Sequence, residues 1–164
     1  MNDDLISLEH RLDLISRLSK YRIEFGIFAE DISKKVSVDI LNADDSITKI
    51  DMEIGDIMYF TEHGTMTIPA RPILETSLYY IETNLNKTLD TITDGILNFY
   101  WSEDEVLKHL EEFATSMQIY LRAKVHEMVN NNATLANILD QKDENKYIYD
   151  LKQLKNYIKC KIIY

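Results

Sequence analysis

Two prolines, four glycines and one cysteine in 164 residues leave this chain with few corners and few covalent options. Cys160 has no partner for an intramolecular disulfide and no CxxC companion for zinc, which fits synthesis in a reduced compartment. No apolar run is long enough to suggest a membrane span. The opening Met1-Asn2-Asp3-Asp4 is acidic and lacks the basic segment and apolar core of a secretory signal. Glycines at 26, 55, 64 and 95 are too scattered for a phosphate-cradling loop, and no serine sits in a GxSxG setting. The histidines, at 10, 63, 109 and 126, fall in no metal spacing: His126-Glu127 begins an HExxH pattern that Asn130 ends. With no converging polar groups, the chain is expected to have no catalytic residues, no metal and no cofactor, and not to be an enzyme. Positive charge is also short. The net charge of −10 argues against DNA wrapping or an anionic membrane as partner.

What the chain has is helical periodicity. Leu5, Leu8, Leu12, Ile15 and Leu18 recur at three- and four-residue steps and predict a helix over 3–20. Tyr21 to Phe28 alternates like a strand, as does Lys35 to Leu41. Asp44-Asp45-Ser46 reads as an N-cap cluster for a helix over 47–62, with Gly55 either weakening it or admitting a close backbone neighbour. Long helices are expected over 73–97 and 103–130. The second opens with the capping box Ser102-Glu103-Asp104-Glu105 and buries Val106, Leu110, Phe113, Met117, Leu121, Val125 and Met128. Asn130-Asn131-Asn132 should end it, residues 131–146 should form a mobile loop, and Leu154 to Tyr164 reads as a terminal strand. The expected fold is a single α+β domain over 1–164, with a small, mostly antiparallel sheet packed against several long amphipathic helices.

Both prolines and Gly64 fall within Glu62-His63-Gly64-Thr65-Met66-Thr67-Ile68-Pro69-Ala70-Arg71-Pro72. Gly64 can adopt positive φ and stop a helix, while each proline pushes the residue before it toward an extended conformation. Residues 62–73 therefore read as a rigid arm between two helices. Pro69-Ala70-Arg71-Pro72 also fits PxxP, but its place between two helices argues against use as an SH3 ligand. Arg71, held between the prolines, offers a planar fork for a carboxylate or caps carbonyls of its own domain. Charge is uneven: residues 1–65 carry −7 and residues 142–161 carry +3, so Lys155, Lys159 and Lys161 are candidates for contacts with the acidic body of a neighbouring copy. Phe99-Tyr100-Trp101 precedes the capping box and should staple that helix to the core.

Glu62-His63-Gly64-Thr65 followed by Ile68-Pro69-Ala70-Arg71-Pro72-Ile73-Leu74 resembles the neck or tail-completion proteins of tailed bacteriophages. Phe25-Gly26-Ile27-Phe28 stands where that family has a strand like Val-Gly-Phe-Phe. Asp150-Leu151-Lys152-Gln153-Leu154-Lys155-Asn156-Tyr157-Ile158 is similar to its segment Asp-Thr-Gly-Gln-Leu-Arg-Asn-Ser-Ile. The chain departs from the pattern at Leu151-Lys152, where the family has Thr-Gly, and at His63, where it has Phe.

The resemblance implies a structural virion protein at the head–tail junction, passing through the host cytoplasm during assembly and engaging no membrane. It would complete the tail and join it to the head as a homo-oligomeric ring, commonly a hexamer. Its partners would be portal or connector proteins on one side and tail terminator or tail tube proteins on the other. DNA would pass through the lumen without specific binding. Gly64, Thr65, Ile68, Pro69, Ala70, Arg71 and Pro72 would be its motif residues and the candidate interface. A tail terminator at the same junction and a small acidic phage adaptor or inhibitor are the alternatives.

Overall fold

The computed structural model of the chain describes residues 2–41, 46–64, 70–138 and 153–164. In order these form α1 (Asn2–Leu18), β1 (Arg22–Gly26), α2 (Ala29–Ile32), β2 (Lys35–Leu41), β3 (Ile47–Glu53), α3 (Ile54–His63), α4 (Ile73–Phe99), α5 (Glu103–Ile138), a 3-10 turn at Leu154–Asn156, and β4 (Lys159–Ile163). The fold class is α+β, with two two-stranded sheets in place of one: β1 with β4, and β2 antiparallel to β3 from Lys35↔Glu53 to Leu41↔Ile47. No described helix is long and apolar enough to cross a membrane. Contacts divide the chain into two compact units: unit 1 comprises Met1–Phe25, Leu78–Met117 and Cys160–Tyr164, and unit 2 comprises Gly26–Ser77 and Gln118–Lys159.

In unit 1, Leu14, Ile92, Ile96, Val106 and Leu110 form the buried centre, with Ile15, Leu18, Tyr21, Ile23, Trp101 and Ile162 packed around it. Helix α1 turns a different face inward from the one its leucine stripe predicts. Leu14 is buried, whereas Leu8 and Leu12 are 42% and 53% exposed. Polar ties set that rotation: Arg11 Nη1 donates to the Leu97 carbonyl at 2.7 Å, and Arg17 and the Tyr21 hydroxyl both reach Glu103. The end of α4 is shaped by Tyr100, whose φ of 56° doubles the chain back so that the Trp101 N–H reaches the Gly95 carbonyl at 3.2 Å. The indole then lies on Gly95, where an added Cβ would stand 2.3 Å from a ring carbon. The capping box forms as expected: Glu105 Oε2 accepts from the Ser102 N–H at 2.7 Å, and Ser102 Oγ accepts from the Glu105 N–H at 3.4 Å. These bonds hold the Glu105 carboxyl below the usual carboxylate range.

In unit 2, Val38, Ile54, Ile57, Met58, Ile73, Leu121, Val125, Leu154 and Ile158 are buried. Residues 47–62 do not form one helix. Ile47 to Glu53 pair with β2, and the helix starts at Ile54 with Ile57, Met58 and Thr61 on its buried face. Ile47 and Ile50 stand at a helical spacing, whereas Ile50 and Met52 alternate and pair with Val38 and Val36; the pairing with β2 decides for the strand. Ser46 precedes that strand, while Asp44 and Asp45 lie outside the described residues. Gly55 admits Ile32 of α2, whose Cγ2 would stand 2.7 Å from an added Cβ, so the close neighbour is real.

Helix α5 buries the expected residues from Val106 to Val125 but runs through the three asparagines to Ile138. Thus 131–138 is helical, and the rest of the expected loop falls outside the described residues. Ala133, Leu135 and Ala136 are good helix formers and sustain it. The expected terminal strand is shortened to β4 by the 3-10 turn, which buries Leu154 and Ile158 together at a four-residue spacing.

Candidate docking interface at the α3–α4 corner

Helix α3 stops at Gly64, whose N–H donates to the Phe60 carbonyl at 2.8 Å and whose backbone sits at φ 72°, ψ −175°. That conformation belongs almost wholly to glycine. Of the motif residues, Gly64, Ala70, Arg71 and Pro72 are described, whereas Thr65, Ile68 and Pro69 lie outside the described residues. Beyond that gap the chain is tied back to α3: the Arg71 N–H donates to the Thr61 carbonyl at 2.6 Å. Pro72 directly precedes the first residue of α4.

The start of α4 is capped from α3. Glu62 Oε1 accepts from the N–H groups of both Ile73 and Leu74, at 2.7 and 2.8 Å. Two otherwise unpaired amides are satisfied and a carboxylate meets the positive end of the helix dipole. In the first turn, the buried Ser77 hydroxyl donates to the Ile73 carbonyl at 2.6 Å. Glu62 lies eleven residues before Ile73, outside any local capping pattern, so sequence spacing gives no signal for this role.

The corner thus fixes the backbone of Arg71 while its side chain is differently placed. The guanidinium is half-buried, and burial pulls its pKa below the ordinary value. Among the described residues no carboxylate or carbonyl bonds it. A partly desolvated, unpaired cation gains most from a planar acceptor that arrives from outside. The C-terminal end of α3 carries an exposed aromatic pair, Tyr59 and His63, with ring centroids 4.7 Å apart.

The three C-terminal lysines separate by role. Lys159 Nζ bonds Asp31 Oδ2 at 2.5 Å, and Lys34 Nζ meets Asp31 Oδ1 at 2.6 Å. Asp31 is buried at 1% exposure, and the hydrogen bond from Lys159, then that from Lys34, holds its carboxyl below the usual range. Lys34 also lies over the Tyr157 ring at 5.7 Å. Lys159 therefore serves the interior of unit 2, and its ammonium is not a free surface charge. Lys161 is also engaged. Lys155 is exposed on the 3-10 turn and makes no ion pair among the described residues. Asp31 was not foreseen from the sequence, since an isolated acid in a short helix carries no pattern.

Among the described residues no three His, Cys, Asp or Glu side chains gather as metal ligands do. No family model matches this chain, and no curated protein or solved structure matches it.

Proposed function

We propose that the chain is a structural subunit of a tailed-phage neck, completing the tail and joining it to the head as part of an oligomeric ring. Two lines support this. The segment from Ile68 to Leu74 resembles the head–tail joining family, and within that segment Arg71 presents a half-buried guanidinium with no counter-charge among the described residues, on a corner braced by Glu62 and Thr61. The state of Arg71 carries the proposal, because a partly desolvated cation with no partner among the described residues of one chain is satisfied by a carboxylate of the next. A ring needs such unlike surfaces to meet head to tail, and the excess of acidic side chains on this chain supplies acceptors.

The test is assembly in a phage carrying Arg71→Ala. The variant is expected to fold with an unchanged melting temperature and to leave heads and tails unjoined. Normal joining by Arg71→Ala, or a neck reconstruction without this chain, would sink the proposal.

A further inference from the structure

Within unit 1, helices α4 and α5 border an open cleft of about 260 Å³. Its buried apolar lining is Phe113 and Met117. Its polar lining is Asn84, Thr88 and Thr91 from α4, and His109, Glu112 and Ser116 from α5. The hydrogen bonds already made by these side chains decide what the cleft can bind. Asn84 Nδ2 donates to the Tyr80 carbonyl at 2.7 Å, which fixes the amide orientation and leaves Oδ1 as an acceptor. The Thr88 hydroxyl donates to the Asn84 carbonyl at 3.0 Å, and the Thr91 hydroxyl donates to the Lys87 carbonyl at 2.9 Å. Both oxygens keep only their accepting capacity. Glu112 adds a carboxylate that is 59% exposed. His109 stacks on Trp101, with centroids 4.3 Å apart and planes within 4°, and its Nδ1 stands 3.7 Å from Glu112 Oε2. Donors are few: the second Asn84 N–H, the Ser116 hydroxyl and the His109 ring.

We propose that this cleft binds an ammonium or guanidinium head group. An ammonium brings three donors and a guanidinium five, with no acceptor to conflict with the carboxylate and hydroxyl oxygens. The methylene stem of such a group matches Phe113 and Met117. An anion would instead meet Glu112 and lone pairs. The cation has two possible sources, a free organic amine or a side chain of a second copy. Lys155, exposed in the basic C-terminal segment and without an ion pair among the described residues, is the candidate tested for the second source. The site is independent of the neck proposal, because a small cation probes it in solution.

The experiment is an amide chemical-shift titration of the full chain with n-butylammonium and ethylguanidinium chlorides, against sodium chloride at equal ionic strength. Saturable shifts are expected at the amides of Thr88, Thr91 and Ser116 with the organic cations only. Glu112→Gln should raise the dissociation constant about fivefold, as loss of one partly exposed ion pair does. Glu111→Gln, one residue away and outside the cleft, should leave it unchanged. Shifts that do not saturate, or an equal constant for Glu112→Gln, would overturn the proposal. Comparing concentrated wild type with Lys155→Ala, without added cation, separates the sources. An occupied-cleft spectrum that the substitution abolishes identifies the second copy, whereas identical empty-cleft spectra identify a free amine.

Discussion

Gly64 and Arg71 stand seven residues apart on the same corner but differ in how much their sequence context reveals. At φ 72° and ψ −175° a side chain is strained, so Gly64→Ala should lower unfolding free energy by about 1–3 kcal/mol in a urea titration. Its role was legible because breakers are so scarce here that the few present mark real corners. That Arg71 has no partner among the described residues was not legible: whether a guanidinium finds a partner depends on which groups the fold brings near it. The outward role predicts an unusual stability result. Arg71→Leu removes a partly desolvated charge that bonds no described residue, so the urea midpoint should stay the same or rise while assembly is lost. A marked loss of stability would instead mean that Arg71 serves its own fold.

At the scale of elements, α4 depends on a cap that no local motif announces. Glu62→Ala should cost about 1–2 kcal/mol by removing a charged acceptor from two N-terminal amides, with Glu62→Gln intermediate, both readable by thermal unfolding. At the other end of α4, Gly95→Ala drives a methyl into the Trp101 indole and should cost about 1–3 kcal/mol with a shift in tryptophan fluorescence. Helix α5 was legible because its apolar residues keep one helical face from Val106 to Val125. The start of β3 was not, since Ile47 and Ile50 keep a helical spacing with Ile54 and Ile57 while Ile50 and Met52 alternate, and only the partner strand decides. The rotation of α1 was missed for a related reason: a leucine stripe defines an apolar face, and Arg11 and Arg17 determine which face turns inward.

Across the whole molecule, the Lys34–Asp31–Lys159 group links α2 to β4 and makes stability depend on acid. Asp31 has a lowered pKa in the folded state, so its contribution is full above the unfolded value of about 3.9 and is lost as pH falls through the folded value. Lys34 is raised by the same partner, and its contribution is full below about 10.4 and is lost only at higher pH. The gap in urea midpoint between wild type and Asp31→Asn should therefore be flat from about pH 5 to 10 and close toward acid. A gap that persists unchanged at low pH would refute this assignment.

The pairing of β1 with β4 also constrains the order of events at the ribosome. Arg22–Gly26 must wait for Lys159–Ile163, so β1 has no partner in its sheet until α4 and α5 have been made. Unit 1 draws on three separated stretches of chain and unit 2 on two, so neither can close as a contiguous N-terminal piece. Closure of the β1–β4 sheet therefore waits for β4, and a stalled nascent chain lacking β4 should expose β1 to protease while α4 and α5 are already helical.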